Sequence, residues 1–402
     1  MSKTVVLVGS LDTKGPEFAF VKELIENEGL ETLVVDFGVM GDPAFAPDIG
    51  RDEVAMAGGG DMARLAGGDH KDEAMQVMAD GLVVVMRRLY EEGRVDGVLG
   101  MGGGGNTSIA TAGMRILPVG VPKIMVSTLG GGDVSSYSGT RDITFMPSIV
   151  DVAGINSISR QIYANAAGAI AGMVKMVQPA GDEKPLITAS MFGNTTEIVG
   201  RARETLEDAG YEVLVFHATG IGGQTMESLI ADGFIEGSLD ITTTELADYV
   251  CNGIFSAGSD RCLAASRADI PAVIVPGCVD MVNFWGIDKV PVEYRDRNLY
   301  KWNPNMTLMR TNVDENRQMG ELIAAAANEA TAPVTILLPL KGVSMLDSPG
   351  GRFWDPAADQ ACYQALKDNL RDGIPVIEMD NNINDHEFAD RCAEVLLEMM
   401  AQ

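Results

Sequence analysis

Histidine, cysteine and aromatic residues are scarce in this chain, and basic residues are far outnumbered by acidic ones. The 402 residues include 3 histidines, 5 cysteines and 6% aromatic residues, and 30 lysines and arginines stand against 57 aspartates and glutamates. Nucleic-acid affinity comes largely from Lys and Arg side chains that neutralise phosphates. The net charge of -27 therefore argues against nucleic-acid binding. His70 and His386 have no ligand partners at zinc-site spacing, so no zinc site is predicted.

The cysteines and the apolar runs indicate a soluble protein. All five cysteines lie in the second half, form no CxxC pair and are odd in number, which fits reduced thiols in a cytoplasm. No apolar run approaches the ~20 residues that span a bilayer. The run Val5–Val8 is too short for a signal segment. We therefore expect a cytoplasmic protein that does not bind membranes. HExxH and GxSxG are absent, so the standard hydrolase templates have no support.

The length and the opening of the chain predict two α/β domains. A chain of 402 residues suits two domains of roughly 150 to 200 residues. The first residues predict a strand at Val5–Val8, a helix over Pro16–Asn27 and a strand at Thr32–Val35 that ends at Asp36. Because the strands are apolar on both sides, they predict a parallel sheet covered on both faces.

The same pattern recurs later, at an offset of 181 residues. Leu186–Ala189 lies over Val5–Val8, and His217 lies over Asp36. We interpret this as two Rossmann-like lobes related by duplication, 1–180 and 185–402, with mostly parallel sheets and a boundary at Pro179–Pro185. The alternative is that any two βαβ units look alike.

The remaining predicted elements continue this pattern. The first lobe also has predicted strands at Gly97–Leu99 and Lys123–Val126 and helices at Glu73–Glu91, Thr107–Leu117 and Ser159–Val177. The second lobe has predicted strands at Ala272–Val275, Val334–Leu338 and Val376–Glu378 and helices at Cys262–Ala268, Asp314–Asn328, Pro356–Leu370 and Asp385–Met399. The Gly-, Asp-, Ala- and Pro-rich stretch Met40–Asp72 is expected to be an insertion that caps a crevice.

Three unusual loops follow strands of the first lobe: Gly9–Gly15, Gly100–Ser108 and Ser127–Asp133. Ligands of open parallel sheets bind beyond the carboxyl ends of the strands. The second loop holds four consecutive glycines, which bare main-chain N–H groups, and Thr107 is expected to cap a helix whose N-terminus attracts phosphate. The loop is neither a Walker A sequence nor a GxGxxG in the first βα turn. A flexible glycine turn is the alternative.

Charged groups in these loops suggest ATP with Mg²⁺. Lys14 is predicted to neutralise a phosphate, Asp12 and Asp133 to hold Mg²⁺ through water, and Asp36 to accept ribose hydroxyls. The alternatives are an Asx turn at Asp12 and a solvated Lys14. The nucleotide-binding residues predicted from the loops are Ser10, Asp12, Thr13, Lys14, Asp36, Gly102, Gly103, Gly104, Gly105, Asn106, Thr107, Ser127, Thr128, Gly130, Gly131, Gly132 and Asp133.

The second lobe has polar strand ends of its own, which predict a site for a small acid. The nominated residues are His217, Gly222, Gly223, Asp260, Arg261, Cys278, Asp280, Asn283 and Arg310. Cys278 and His217 suggest a nucleophile and its base, but a lone loop cysteine is more often structural.

Several runs resemble the ATP-binding domain family typified by the N-terminal region of the tomato mosaic virus resistance protein. The longest is Val126–Thr144, which continues as Ser148–Asn156. Agreement extends over nearly the whole chain, through Gly9–Lys14, Leu239–Glu245, Pro276–Phe284, Thr307–Thr311 and Ile383–Asp385. The resemblance implies two Rossmann-like subdomains, ATP bound by the first, and dimerisation. It adds Tyr137, Thr140 and Asp142 to the nucleotide residues. In the plant protein, this region binds viral replication proteins and is followed by a barrel-type domain.

Two functional hypotheses follow, and a third is weaker. In the first, the chain is an enzyme whose first lobe holds Mg-ATP and whose second presents a small, acidic metabolite across an interlobe cleft. In the second, it is a non-catalytic module whose affinity for a partner protein depends on the nucleotide. A bilobed solute receptor shares the architecture but needs export, and no signal segment supports it.

Overall fold

The chain folds as two α/β units, and the predicted fold class is confirmed. The structure is a computed structural model that describes residues 3–66, 71–177, 181 and 184–402. It divides into Met1–Ala180 and Gly181–Gln402. His70 and most of the predicted boundary Pro179–Pro185 lie outside the described residues. No helix of the described residues is both long enough and apolar enough to cross a bilayer.

The first unit is a five-stranded parallel sheet between two helix layers, with strand order β2-β1-β3-β4-β5. Its strands are β1 (Thr4–Gly9), β2 (Glu31–Asp36), β3 (Gly97–Gly102), β4 (Lys123–Ser127) and β5 (Thr144–Pro147). Its helices are α1 (Leu11–Asn27), α2 (Arg51–Ala57), α3 (Met62–Leu65), α4 (Lys71–Glu91), α5 (Gly104–Arg115), α6 (Ser135–Ser138) and α7 (Ser157–Lys175). Val6 and Val8 face the core with α4 and α5, whereas Val5 and Leu7 face α1 and α7. Each strand is therefore apolar on both sides.

The second unit has a six-stranded parallel sheet, with strand order β14-β13-β9-β8-β6-β7, and a separate three-stranded antiparallel sheet, β10-β12-β11. Its strands are β6 (Leu186–Met191), β7 (Glu212–His217), β8 (Gly237–Thr242), β9 (Ala272–Gly277), β10 (Met281–Trp285), β11 (Leu299–Asn303), β12 (Met306–Arg310), β13 (Val334–Pro339) and β14 (Val376–Met379). Its helices are α8 (Thr196–Asp208), α9 (Ile221–Ala231), α10 (Thr244–Val250), α11 (Ala264–Arg267), α12 (Val313–Asn328), α13 (Pro356–Asn369) and α14 (His386–Met400).

The two parallel sheets repeat one topology. Reading β6, β7, β8, β9 and β13 for β1 to β5 gives the same order of neighbouring strands in both units. Val5 pairs with Gly97, and Ile187 pairs with Gly237, so β6 follows β1 at an offset of 182 residues rather than the predicted 181. The pairing of β2 and β7 keeps 181, because Thr32 and Val213 are the partners of Val5 and Ile187. The sequence alignment was therefore one residue out of register in the first strand.

Two predictions about element boundaries were wrong. α5 begins at Gly104, so two of the four glycines lie inside the helix and Thr107 is not its cap. The Thr107 hydroxyl instead donates to the carbonyl oxygen of Gly103, at 2.9 Å. The antiparallel sheet was not predicted at all, and Asn283, expected in a loop, lies within β10.

Two glycines hold the insertion between β2 and α4 against the rest of the first unit. A Cβ atom on Gly58 would lie 2.0 Å from the carbonyl oxygen of Val77, and one on Gly81 would lie 1.9 Å from that of Val54. Only glycine allows the end of α2 and the middle of α4 to approach so closely. This contact fixes one wall of the site described next.

Candidate functional site

The three strand-end loops of the first unit meet at the carboxyl edge of its sheet. The Ser10 hydroxyl donates to Oδ1 of Asn106 at 2.9 Å, which joins the first loop to the second. The hydroxyls of Thr107 and Ser127 lie 2.7 Å apart and share a buried hydrogen bond. The N–H of Thr128 donates to the carbonyl oxygen of Gly102 at 3.2 Å. The predicted convergence of these loops is therefore present within this unit.

A cavity of about 310 Å³ opens beside the first two loops. Six of its lining residues are polar or glycine and lie at the starts of α1, α5 and α4: Ser10, Asp12, Thr13, Gly105, Asn106 and Lys71. The others are apolar and come from the segment after β2, the insertion, α4 and α5: Phe37, Val39, Met40, Leu65, Ala74, Met75, Met78 and Ile109. The volume lies at the lower end of the range for small-molecule sites, and the mixed lining is typical of them.

Uncovered main-chain amides mark the polar side of this cavity. Within residues 3–66 and 71–177, no group accepts a hydrogen bond from the N–H of Gly104, Gly105 or Asn106, the first turn of α5. Such a turn carries a partial positive charge and attracts anions. A Cβ on Gly104 would come no closer than 3.7 Å to Leu129, and one on Gly105 no closer than 3.5 Å to Met75. The space around these two glycines therefore has room for a Cβ atom, and Gly105 and Asn106 both line the cavity.

Asp12 and Asp36 are both engaged by main-chain amides. Oδ2 of Asp12 accepts from the N–H groups of Met40 and Gly41, while its Oδ1 has no partner among the described residues. Asp36 is fully buried, and its Oδ1 accepts from the N–H groups of Leu11 and Gly38 at 2.9 Å. Burial raises the pKa of Asp36. Asp36 therefore links the start of α1 to the end of β2 through hydrogen bonds, and it does not line the cavity.

Several predicted nucleotide residues lie away from this cavity. Lys14 interrupts α1 with a non-helical backbone (φ −127°) and is not among the lining residues. The loop residues Gly130, Gly131, Gly132 and Asp133, like Tyr137 and Thr140, also lie outside the lining. Asp142 accepts from the buried ammonium of Lys123 at 2.7 Å, at the amino end of β4, opposite the glycine loops. Burial tends to raise the pKa of Asp142, but the hydrogen bonds from Lys123 and Gly120 hold it below its ordinary value.

Sequence reasoning missed Lys71 and the apolar wall. Lys71 is exposed at the start of α4 and is the only lysine or arginine lining the cavity among the described residues. Met75 and Met78 follow it at helical spacing, which in a sequence is indistinguishable from an ordinary core-facing stripe. No sequence signal separates such a wall from the core.

In the second unit, Arg261 is a structural centre rather than an exposed ligand. Its guanidinium is fully buried and donates to Glu245 at 2.6 Å, to Asp240 at 2.5 Å and to Glu227 at 3.0 Å. Oε1 of Glu245 also accepts from the N–H groups of Gly220 and Gly223, at 2.7 and 3.0 Å. The amides around the start of α9 are therefore occupied by a side chain of the same unit, and neither Gly223 nor Arg261 is free to bind an acid.

The other nominated residues of the second unit are also mostly internal. Arg310 donates to Asp359 at 2.6 Å and lies 3.7 Å from Asp347, and all three side chains are almost fully buried. Ser344 donates to Asp280, which is completely buried. Asn283 donates to Asp248 at 2.7 Å. The side chains of these residues are buried inside the second unit and pair with one another there, so they are not exposed to bind an acid.

The predicted pair of Cys278 and His217 does not form. Cys278 is completely buried in an apolar cluster with Phe192, Met281 and Leu308. Burial raises the pKa of its thiol well above the usual value, so the thiolate needed for attack is disfavoured. His217 is exposed, and its ring stacks on Phe192 with centroids 5.3 Å apart. It lines a second cavity, of about 290 Å³. All five cysteines are buried and unpaired.

Comparison with known proteins places the whole chain in one family. The model of the Uncharacterised protein family (UPF0261) N-terminal domain matches residues 3–179, and that of its C-terminal domain matches residues 184–400. A UPF0261 protein of Clostridium tetani is 48% identical over 402 residues and is covered completely, as is this chain. One from Rhizobium meliloti is 44% identical, with 96% of this chain and 97% of the relative covered.

A longer plant relative matches over the same region. The ToMV resistance protein Tm-1(GCR237) of Solanum lycopersicum is 36% identical over 425 residues, which cover 99% of this chain and 56% of the plant protein. The two domain models and these relatives agree along the whole length, and the chain belongs to the UPF0261 family.

Proposed function

We propose that the first unit binds ATP, together with Mg²⁺, in the cavity beside the glycine loop. One observation supports the proposal above all others: the amides of Gly104, Gly105 and Asn106 have no partner among the described residues, and Gly105 and Asn106 line a cavity. Uncovered amides at the start of a twelve-residue helix form a ready site for phosphate oxygens.

The acidic surface does not prevent an anionic nucleotide from binding in this cavity. The net charge of -27 is spread over 402 residues, whereas the helix terminus acts at hydrogen-bond distance. Exposed charges farther away than about 10 Å are largely screened at physiological salt. Lys71, at the rim, adds one positive charge near the phosphates. The local field therefore favours an anion.

The apolar side of the cavity suits the adenine ring. Phe37, Met75 and Ile109 offer flat or polarisable surface, and methionine sulfur makes favourable contacts with aromatic rings. A volume of about 310 Å³ accommodates a nucleoside, with the phosphates extending over the glycine loop. The adenine ring and the phosphates thus each have a matching surface.

Asp12 is the residue that fits a role toward Mg²⁺. Its Oδ1 is buried without a partner, and the side chain lines the cavity next to Thr13. The carboxylate and hydroxyl oxygens are hard ligands of the type that Mg²⁺ and its bound waters prefer. Among the described residues, no group of three His, Cys, Asp or Glu side chains forms a metal cluster. Mg²⁺ would accordingly be held mainly by the phosphates, with Asp12 contacting its water shell.

The test is calorimetric titration with ATP and Mg²⁺ of the wild-type protein and of a Gly103→Val/Gly104→Val variant. Valine side chains in front of the amides should weaken ATP binding at least ~100-fold, about 2.7 kcal/mol. The matched control is Gly103→Ala/Gly104→Ala, because a Cβ at either position meets nothing closer than 3.7 Å. Adenosine, which lacks phosphates, should be affected much less than ATP.

A crystal soaked with ATP and Mg²⁺ gives the second readout, namely which amides contact the phosphates. Undiminished ATP binding by the valine variant, or phosphates bound away from α5, would overturn the proposal.

Two roles remain for such a nucleotide site. The second cavity, with the exposed His217, favours an enzyme that uses ATP on a small metabolite. The burial of Arg261, Arg310 and Cys278 favours a non-catalytic module whose nucleotide controls binding of a partner protein. A metabolite screen that measures ATP turnover through phosphate release separates the two roles. Formation of a stoichiometric product identifies an enzyme. Sedimentation of the protein with and without ATP tests the dimer that the family resemblance implies.

A further inference from the structure

The cavity of the second unit is lined by aromatic side chains and by a buried side-chain amide whose oxygen has no partner among the described residues. Phe192, Phe255 and Leu308 form its inner wall, while Trp302 and His217 stand at its edge. Trp302 is 41% exposed, which leaves a large aromatic face in contact with solvent. Aromatic side chains that flank a cavity in this way offer flat surface on which a planar molecule can stack.

Asn194 lines this cavity and carries a side-chain amide without strong hydrogen-bond partners among the described residues. It is 2% exposed and lines the cavity, and its Oδ1 has no partner among the described residues. Its Nδ2 donates only to the sulfur of Met281, at 3.4 Å, which is a weak acceptor. Buried side-chain amides normally have strong partners, and each exception calls for an explanation. A ligand with one acceptor and one donor side by side would satisfy both atoms, whichever way the amide is rotated.

The charge and size of the cavity narrow the class of ligand. The described residues that line it include no lysine, arginine, aspartate or glutamate, so nothing there neutralises a phosphate or a carboxylate. This differs from the small acid predicted from the sequence, because the arginines on which that prediction relied are buried elsewhere in ion pairs. A volume of about 290 Å³ equals roughly ten liquid-water volumes, which is room for one or two rings.

We propose that this cavity binds a neutral planar heterocycle with an N–H donor and a carbonyl or ring-nitrogen acceptor on one edge, as in a lactam or a nucleobase. The ring stacks against Trp302 and His217, and the polar edge pairs with the amide of Asn194. Asparagine is well suited to such an edge, since its amide offers a donor and an acceptor in one plane. The inference is independent of nucleotide binding by the first unit.

The probe is uracil, titrated by ligand-observed NMR against the full chain, with 1,3-dimethyluracil as the matched control. Uracil presents the lactam edge, and methylation removes its N–H donors while keeping the ring. Uracil should bind with a dissociation constant on the order of 1 mM, as expected for a fragment of eight non-hydrogen atoms. Dimethyluracil should bind at least ~10-fold more weakly.

Two variants locate the binding. Asn194→Leu keeps the side-chain size and removes both polar atoms, so uracil should bind ~10-fold more weakly while dimethyluracil is unchanged. Trp302→Ala removes a half-exposed ring at the cavity and should weaken binding of both compounds. If Asn194→Leu fails to fold, the Trp302→Ala variant and the comparison of uracil with dimethyluracil still test the proposal.

Three results would overturn the proposal. They are equal binding of uracil and dimethyluracil, binding of uracil that Trp302→Ala leaves unchanged, and no binding of uracil up to about 20 mM. The Gly103→Val/Gly104→Val variant should still bind uracil, and Asn194→Leu should still bind ATP. Failure of one site is therefore distinguishable from failure of the other.

Discussion

The two units share a topology but differ in which amides at the carboxyl edge of the sheet are occupied by their own carboxylates. After the second strand of each sheet, both units supply a carboxylate: the amides of Met40 and Gly41 donate to Asp12, and those of Gly220 and Gly223 donate to Glu245.

The start of α5 differs from these sites. The amides of Gly105 and Asn106 have no partner among the described residues, and both residues line a cavity. Amides at a helix start favour negative charge.

Glu245 has no carboxylate counterpart at the start of α5. Counted from β3 and β8, which pair in the same register with β1 and β6, Glu245 occupies the position of Gly105. Arg261 then joins Glu245 to Asp240 at the end of β8. The second unit thus has a carboxylate where the first has a glycine, and the predictions below test what that carboxylate does.

The largest effect is expected from Glu245→Ala. This change leaves Nε of the buried Arg261 without its carboxylate partner and removes the acceptor of the amides of Gly220 and Gly223. Breaking a buried ion pair from one side costs about 3–5 kcal/mol. Denaturant unfolding of the variant measures the loss. As a control, Glu329→Ala removes the exposed pair with Arg267 and should change stability by less than about 1 kcal/mol. Equal losses in both variants would contradict the role given to Glu245.

The next effect reverses the contrast in the first unit. Gly105→Glu places a carboxylate where the second unit has one, and its Cβ meets only Met75, at ordinary contact distance. ATP should bind at least ~100-fold more weakly, because the new charge at the cavity repels phosphate. Gly105→Gln has the same size without the charge and should weaken ATP by only ~10-fold. Calorimetry compares the two. Similar affinities for both variants would assign the effect to bulk alone.

A smaller effect concerns charges buried in the second unit. Burial, together with the charge of Asp347, raises the pKa of Asp359 to about 8, and the same causes raise that of Asp280 to about 7. Since the folded pKa values exceed the unfolded value of about 3.9, the folded state binds more protons between about pH 4 and pH 8. The contribution of these groups to stability is therefore greatest at low pH and is lost as the pH rises through that window.

Asp359→Asn should reduce this loss by about 1–2 kcal/mol between pH 5 and pH 8. Denaturation midpoints at the two pH values give the difference. Asp368→Asn, on the exposed side of α13, is the matched control and should leave the pH dependence as it is. An unchanged slope in Asp359→Asn would show that Asp359 is not the titrating group.

The smallest effect is expected at the rim of the first cavity. Lys71→Gln removes a cationic side chain from the lining and should weaken ATP binding by about 3- to 5-fold at low salt, and less at high salt. Lys22→Gln, on the surface of α1, should leave the affinity unchanged. A loss of affinity that does not depend on salt would indicate a direct contact rather than a field effect.

The fold could be predicted from the sequence because its signals are local. The apolar run Val5–Val8 and the glycine at Gly29 mark a strand and a helix end without reference to the rest of the chain. The convergence of the glycine loops also followed, since the carboxyl ends of parallel strands share one edge. The start of α5 was misplaced, because glycine lowers helix propensity yet is tolerated in a first turn whose amides have no partners anyway.

The chemistry of the second unit could not be predicted in this way. Arg261 and Arg310 looked like ligands for an acid, since arginine is rarely buried. Only the fold shows that Asp240, Glu245 and Asp359 surround them. Their spacing in the sequence carries no signal for these pairs. The cavity edged by Trp302 was missed for a related reason, because the antiparallel sheet that carries this residue was not predicted.

The internal carboxylate of Glu245 has a thermodynamic consequence. An anion carried on the chain is present at its site in every molecule, whatever the metabolite concentrations outside. A soluble anion stabilises a fold only by mass action, and at 100 times its dissociation constant it adds about 2.7 kcal/mol. The resistance of the first unit to unfolding should therefore follow the supply of nucleotide, while that of the second stays constant.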